Sequence, residues 1–368
     1  MAYLTRFAPP GFRRLSHTDR RVDVTREMIM HDTADPTRDD IVTLQTHVLQ
    51  EKRRQADASG TLSWILSALS ISAKIIAAQL RRARLENVLG AVGAENVQGE
   101  QQQKLDVIAN NVLMRALGTR DGVMVLASEE AAEPVVITAD HGRERGYCVL
   151  FDPLDGSSNL DVAGGVGTIF SVLRHDRRSS RTEDSVLQRG DRQVAAGYVL
   201  YGSSTVLVMT TGEGVDMFVL DTSIGAFIRV EQGLKIPETG RCYSLNEGNR
   251  QSFPAGYRAY LDWAQQHGYS SRYVGAMVAD VHRTLLKGGV FMYPPTEQAP
   301  QGKLRLLYEA NPMAMIIEQA GGQAMDGRGR ILEIQPTALH QRTPVVLGSP
   351  AEVARVIDCL APAAAGAA

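Results

Sequence analysis

Phe151-Asp-Pro-Leu-Asp-Gly-Ser-Ser-Asn159 is the stretch on which the reading of this chain turns. The apolar run Tyr147–Phe151 predicts a buried strand that delivers Asp152 to its end. Pro153 is expected to force a turn there, and Asp155 follows three residues after Asp152, so both carboxylates can face one point. Gly156 lets the backbone come close to a ligand, and the amides of Gly156, Ser157 and Ser158 can cradle a phosphate. A hard divalent cation beside a phosphate ester requires such a set of carboxylates and amide donors. An Asx-turn leading into a serine-capped helix would use the same residues without a ligand. The acidic motifs elsewhere in the chain weigh against that alternative.

Working outward, Ser128-Glu129-Glu130 follows the apolar run Val123–Leu126. On an exposed helix adjacent glutamates are ordinary surface charge; at the end of a buried strand they repel and lose solvent, a cost that a metal offsets. Asp106, in Lys104-Leu-Asp-Val107, stands early in a predicted helix, where the helix dipole alone would favour it. Glu309 closes Lys303-Leu-Arg-Leu-Leu-Tyr-Glu309, just before a helix predicted to begin at Pro312. Asn246, Arg272, Tyr273, Tyr293 and Lys303 supply donors for a phosphate or sugar hydroxyl, although each alone reads as a surface side chain.

The rest of the chain bounds the answer. At 368 residues it can bury a substantial core. A formal net charge of −2 argues against nucleic acid as the main partner. Cys148, Cys242 and Cys359 are widely spaced, the usage of a reducing compartment. No secretory signal is visible, and the longest apolar run, from Thr61, meets Lys74 after about 13 residues against the roughly 20 a membrane span needs. A soluble, cytoplasmic protein without a membrane partner is expected.

Residues 1–40 are polar and proline-bearing, and loosely ordered on this reading; 361–368 is a low-complexity tail. Helices are predicted over Asp40–Gln55, Thr61–Leu80 (with Ser59 or Thr61 as cap), Gln102–Leu117, Pro254–His267, Val278–Leu286 and Pro312–Ala320. The basic Arg81–Arg84 reads as a solvated helix end. Gly90–Gln103 reads as a mobile loop. Buried strands are predicted at Val123–Leu126, Val135–Ile137, Tyr147–Phe151, Thr168–Leu173, Ala195–Leu200 and Thr205–Met209, with others at Val290–Tyr293 and Val345–Leu347. Arg174–Gln193 is charged and reads as an exposed insertion. A shift of composition near Glu231–Gly240 divides residues 41–232 from 233–360, two mixed halves of a layered α/β architecture.

In this order the motifs resemble the class I fructose-1,6-bisphosphatases, members of the lithium-sensitive sugar and inositol phosphatase superfamily. The resemblance runs from about Asp40 to Leu360 and adds Gly167-Thr-Ile-Phe170, Asn246-Glu-Gly248, Arg272-Tyr-Val-Gly275, Ala279-Asp-Val-His-Arg-Thr284 and Asn311-Pro-Met-Ala314 to the segments above. It implies a layered αβαβα sugar-phosphatase fold with a regulatory and metal-binding half followed by a substrate-binding half. It implies two or three Mg²⁺, replaceable by Mn²⁺, on Glu129, Asp152, Asp155, Glu309 and the Leu154 carbonyl. Glu130 and Asp106 would position and deprotonate the attacking water, with Glu100 where the family often has an aspartate. Asp155, Gly156, Ser157 and Ser158 would hold the 1-phosphate. Asn246, Tyr273 and Tyr293 would hold the 6-phosphate, with Arg272 from a neighbouring subunit of a homotetramer. Lys303 and the backbone near Met277 would contact the sugar, and residues 84–103 would close over the metals.

The implied activity is hydrolysis of the 1-phosphate of fructose 1,6-bisphosphate, in gluconeogenic or Calvin-type carbohydrate metabolism. A bifunctional enzyme acting also on sedoheptulose 1,7-bisphosphate is the second reading; Asn249, where animal relatives carry a tyrosine, loosens the distal pocket on that view. A catalytically inactive sugar-phosphate sensor is the non-enzymatic alternative, against which stands the full set of acidic residues. Ser59, Gly60, Ser63, Tyr147 and Arg174 match part of the family's AMP site, whereas Gly146 replaces a phosphate-binding lysine, so strong AMP inhibition is not expected. The 174–193 insertion holds no cysteine, which speaks against thioredoxin control.

Overall fold

The computed structural model describes residues 41–54, 60–86, 89–95, 101–137, 146–176, 178–179 and 181–361. The predicted N-terminal extension, most of the tail, Ser59 and Glu100 lie outside them. The helices are α1 (Leu44–Arg54), α2 (Gly60–Arg82), α3 (Lys104–Gly118), α4 (Ala255–Gln266), α5 (Met277–Lys287), α6 (Asn311–Gln319) and α7 (Pro350–Leu360). The short strands β1 (Ala91–Glu95) and β2 (Gln101–Gln103) pair antiparallel.

An eight-stranded sheet is built from β3 (Val123–Ser128), β4 (Val135–Val136), β5 (Tyr147–Asp155), β6 (Val166–Arg174), β7 (Gln193–Tyr201), β8 (Thr205–Thr210), β9 (Asp216–Asp221) and β10 (Ala226–Glu231). Its order is β10-β9-β8-β7-β6-β5-β3-β4, antiparallel except for the parallel β3–β5 pair. The remaining strands are β11 (Cys242–Ser244), β12 (Ser270–Ser271), β13 (Val290–Tyr293), β14 (Leu304–Arg305), β15 (Gln323–Met325), β16 (Arg342–Thr343) and β17 (Val345–Gly348). A second sheet runs β12-β11-β13-β17-β15, while β14 and β16 form a two-stranded ribbon.

Alternating side chains enter separate cores between these layers, as the two-residue period of a strand requires. One face of the large sheet (Tyr147, Val149, Phe151, Val199, Leu207) packs on the apolar sides of α2 and α3. Its other face (Ile169, Ala196, Tyr198, Val208) meets α5 and α6, which also cover Phe291 and Leu347 of the second sheet. The far side of that sheet, with Tyr243, Met292 and Val346, is closed by α4 and α7. The result is the expected five-layer αβαβα arrangement.

Several expectations are corrected. Pro153 does not end its strand: β5 runs through Asp155, and its pairing with β6 shifts between Asp152 and Asp155. That bulge is where a residue without an N–H is tolerated. The Thr168 hydroxyl there donates to the Pro153 carbonyl at 2.9 Å. Gly90–Gln103 contains the paired β1 and β2, not only loop. Val135 and Val136 are exposed, because β4 is a two-residue strand on the sheet edge. The 174–193 insertion is not wholly exposed: its turn Thr182–Val186 buries Ser185 and Val186 against β3 and β5. The Ser185 hydroxyl there lies 3.0 Å from Cys148 Sγ and 2.8 Å from His175 Nδ1.

The β9–β10 hairpin and α7 were not anticipated, although Pro350 at the start of α7 is a helix signal. Helix α2, at 23 residues, is long and apolar enough to cross a membrane by length and composition, despite Lys74. In the fold Leu62, Ile65, Leu66, Leu69, Ala73 and Ile76 are buried in the first core.

Candidate metal and phosphate site

The edge where β3 and β5 run parallel gathers the acidic motifs at one end. Asp152, Leu154 and Asp155 are buried along the bulged end of β5. The Leu154 N–H donates to Asp152 Oδ1 at 2.9 Å, which orients that carboxylate within the bulge. Asp155 Oδ2 accepts the Val278 N–H at 2.8 Å, so the start of α5 is tied to the same point. Glu309 arrives from another direction, on a π-helical turn, Leu306–Ala310, that runs directly into α6. One carboxylate oxygen from each of Asp152, Asp155 and Glu309 lies within 4.8 Å of the others. Three such oxygens with little water around them form a ready set of hard ligands for a divalent cation.

Glu129 follows β3 directly, and its N–H donates to the Phe151 carbonyl at 3.1 Å, which sets it alongside β5. Its carboxylate is engaged by Arg305, 2.8 Å away and equally buried. Arg305 Nη1 is also 3.8 Å from Glu309, whose Oε2 accepts the Arg305 N–H at 2.5 Å. Of the predicted metal ligands, three therefore share one cluster, and Glu129 stands beside it in a buried ion pair.

Electrostatics follow from that crowding. Burial pushes the Glu129 carboxyl up to about 8 despite the pull of Arg305. Burial and the nearby Glu129, Asp155 and Glu309 push Asp152 well up. Asp155 is pushed up to about 7 by burial and Glu309, against the α5 amides that hold it down. Each group resists ionisation in this surrounding, and a bound cation is the agent that reverses such a bias.

The neighbouring acids take other positions. The Glu130 N–H reaches Ser128 Oγ at 3.2 Å, and that hydroxyl donates to Asn110 Oδ1 at 2.7 Å, joining the glutamate corner to α3. Asp106 is buried in the first turn of α3, where its Oδ2 accepts the Gln103 N–H at 2.8 Å. Here the helix-start reading of Asp106 applies whatever else it does.

Beside the cluster, Gly156 adopts φ 75°, and an added Cβ would stand 2.3 Å from Ala276 Cβ. The close approach at Gly156 is to Ala276, just before α5, where only a glycine fits. Ser157 and Ser158 begin the 3₁₀ turn Ser157–Val162. A cavity of about 140 Å³ is lined by Asp155, Tyr273, Met277, Asp280, Tyr293 and Lys303, among others. Tyr293 and Lys303 also line a larger cavity, about 630 Å³, with Asn246, Asn249 and Arg342. Of the substrate residues read from the sequence, Asp155, Asn246, Tyr273, Met277, Tyr293 and Lys303 border these two spaces, whereas Gly156, Ser157 and Ser158 line neither. Arg272 borders neither; it is exposed, with its guanidinium 2.8 Å from the Ser271 carbonyl.

Sequence reasoning missed two members of this region, Arg305 and Asp280. Arg305 is four residues before Glu309 and is flanked by buried leucines, an arginine inside an apolar run. Asp280 belongs to Ala279-Asp-Val-His-Arg-Thr284, a segment to which the resemblance assigns no role. In the partly matched nucleotide region, the Arg174 guanidinium lies 5.8 Å from the centre of the buried Tyr147 ring. An added Cβ at Gly146 would collide with Met124.

Two family models match the chain. Fructose-1-6-bisphosphatase, N-terminal domain, covers residues 42–232, and Fructose-1-6-bisphosphatase, C-terminal domain, covers residues 236–361. Among solved structures, the holo form of Leishmania major fructose-1,6-bisphosphatase is 42% identical, with a TM-score of 0.81 over 87% of this chain and 98% of that one. The apo form of the same protein gives 41% identity and a TM-score of 0.77, over 87% and 99% of the two chains. Its T-state gives 40% and 0.77, over 88% and 99%.

Proposed function

The chain belongs to the fructose-1,6-bisphosphatase family, and we propose that the cluster around Asp152, Asp155 and Glu309 hydrolyses the 1-phosphate of fructose 1,6-bisphosphate with the help of magnesium. The chain is an enzyme, a phosphatase, and its products on this reading are fructose 6-phosphate and inorganic phosphate. The single observation that carries the site is the convergence of those three buried carboxylates within 4.8 Å.

The donor set suits Mg²⁺, with Mn²⁺ as a substitute: all oxygen and mostly carboxylate, with Arg305 beside it. Asp152, Asp155 and Glu309 would hold the cation, with Glu129 and the Leu154 carbonyl completing a site for a second. A bound divalent cation supplies charge neutralisation at the ester oxygens and activation of water.

The protein's own groups do the rest. The amides of Gly156, Ser157 and Ser158 hold the reacting phosphate, where the glycine backbone leaves room. Glu130, beside Glu129, takes the proton of the attacking water on its carboxylate, with Asp106 and Glu100 assisting. Lys303 and the Met277 backbone orient the sugar. Asn246, Tyr273 and Tyr293 receive the 6-phosphate in the larger cavity, joined by Arg272 of a neighbouring copy. That last assignment is supported by the exposed position of Arg272 outside its own cavities. A homotetramer and a cytoplasmic setting belong to the same proposal; exposed Trp64, Ile71 and Ile75 along one side of α2 support association with further copies.

A second substrate, sedoheptulose 1,7-bisphosphate, is favoured by the size of the distal cavity. Phosphate release from fructose 1,6-bisphosphate, with and without Mg²⁺, tests the function directly. Mg²⁺-dependent release is expected, and no release under any divalent cation would refute it.

A further inference from the structure

Residues 273–278 form a strap between the carboxylate cluster and the sugar cavities, and two aspartates hold it. Asp155 takes the Val278 N–H at the start of α5. Asp280, in the first turn of that helix, reaches back past its own N-terminus. Its Oδ1 and Oδ2 accept the Val274 N–H at 2.9 and 3.2 Å, and its Oδ2 accepts the Gly275 N–H at 3.0 Å. Asn159, from the turn that follows the phosphate cradle, donates its side-chain N–H to the Val274 carbonyl at 3.4 Å. Gly275 turns the strap with φ 85°, and Tyr273 projects from it to line the smaller cavity.

We propose that Asp280 is a positioning residue for substrate binding, holding the 273–275 strap so that Tyr273 closes the sugar cavity beside Lys303 and Tyr293. This rests on the substrate reading above. A carboxylate receiving two consecutive backbone N–H groups is a charge-assisted, two-point anchor, which fixes direction as well as distance. Asp280 is buried, and burial raises its carboxyl against those same amides, so the anchor is kept where an unpaired aspartate would be costly. The strap thus ties the turn after the phosphate cradle and the start of α5 to the segment that carries Tyr273.

The test is steady-state kinetics of Asp280→Asn, which preserves shape and replaces one acceptor by a donor that faces the strap amides. For fructose 1,6-bisphosphate a rise in KM of about tenfold or more is expected with kcat held within about twofold, the mark of lost binding that is equal in ground and transition states. Hydrolysis of a small aryl phosphate, which has no group to reach Tyr273, should be unchanged. In a Tyr273→Ala background, Asp280→Asn should add less than about twofold to KM, because both changes remove the same contact. An unchanged KM in Asp280→Asn overturns the inference. So does a fall in kcat shared by both substrates, or full additivity with Tyr273→Ala. If Asp280→Asn does not fold, Asn159→Ala carries the test through the other tie to Val274. It should raise KM in the same direction, and no rise overturns the proposal. Wild-type turnover of the bisphosphate, measured alongside, separates failure of this inference from failure of the substrate reading.

Discussion

Arg305 and Glu129 form a buried ion pair, 2.8 Å from Nη2 to Oε1, with the side chains only 7% and 8% exposed. The pair joins the ribbon strand β14 to the end of β3, and the same guanidinium lies within 4 Å of Glu309. It places a cationic side chain directly on the carboxylate cluster. Its charge offsets part of the cost of burying Glu129 among other acids.

Replacing Arg305 by methionine keeps volume but leaves those acids uncompensated. Breaking a buried pair from one side costs on the order of 3–5 kcal/mol. Arg305→Met should therefore lower stability by about that amount at pH 8 and by less at pH 6, where protonation can relieve the acids. Denaturant unfolding at the two pH values measures it; equal losses would mean that the guanidinium acts by packing alone.

The raised carboxyls set a direction for the metal-free protein. Glu129 is pushed up to about 8 and Asp155 to about 7, whereas unfolded carboxyls titrate near 4. Between those values the folded chain holds more protons than the unfolded one, so stability falls as pH rises. In the presence of a chelator, Tm should drop between about pH 5 and pH 8. Added Mg²⁺ should raise Tm at the alkaline end more than at the acid end, since it competes with protons for the same oxygens. A Tm that climbs with pH in chelator would contradict the burial argument.

Glu130 stands next to this cluster without sharing its three-oxygen contact. As general base it should matter to turnover rather than to binding. Glu130→Gln is expected to lower kcat by about 10²–10⁴ with KM little changed. Rapid-quench or steady-state phosphate release reads both values, and a kcat near wild type would remove Glu130 from proton transfer.

Much of this was legible from the chain because the chemistry clusters at strand ends. The apolar runs before Glu129 and Asp152 announce buried strands, and acids at such termini are too costly to be incidental. Tyr147, Val149 and Phe151 enter the first core and Cys148 and Leu150 another, a division that an unbroken apolar run does not announce. Pro153 misled because proline commonly marks a turn, and only the pairing partner β6 reveals that a bulge absorbs it. The β9–β10 hairpin stayed unread because just Phe218, Leu220 and Phe227 of its two strands are buried, a thin signal in sequence. Arg305 was invisible for another reason. Its partner Glu129 is 176 residues away, and no local pattern encodes a contact of that range. Asp280 likewise acts on amides, which have no identity in a sequence.

Gly156 separates backbone strain from steric collision. Its φ of 75° would strain any L side chain, and a methyl group would sit 2.3 Å from Ala276. Gly225 has a similar φ of 65° with nothing within 4 Å. Gly225→Ala should then cost only the conformational penalty, about 1 kcal/mol. Gly156→Ala should cost about 2–3 kcal/mol more and lower kcat/KM at least tenfold by pushing α5 from the cradle. Unfolding curves and kinetics of the two variants make the comparison; similar behaviour would show that the Gly156–Ala276 junction yields easily.

The distal cavity bears on substrate length. At about 630 Å³ it exceeds the space that one phosphate group fills, and Asn249 and Arg342 line it with Asn246, Tyr293 and Lys303. Extending a sugar bisphosphate by one carbon moves its far phosphate outward by less than about 2 Å, since a single bond between heavy atoms is about 1.5 Å. Short polar side chains such as Asn246 and Asn249, with a long guanidinium in the same lining, can follow that displacement without burying an unpaired charge. One extra carbon is also worth only about 1–3 kcal/mol of discrimination in the best-fitted pockets, and this pocket is loosely fitted. The two bisphosphates should therefore differ in kcat/KM by less than about tenfold. Asn249→Tyr, which fills the cavity from the side of the 3₁₀ turn Glu247–Ser252, should widen the gap against the longer substrate while sparing the shorter one. Parallel kinetics on wild type and Asn249→Tyr decide the matter: a hundredfold preference already present in wild type would mean that the cavity's width does not govern which chain length is accepted.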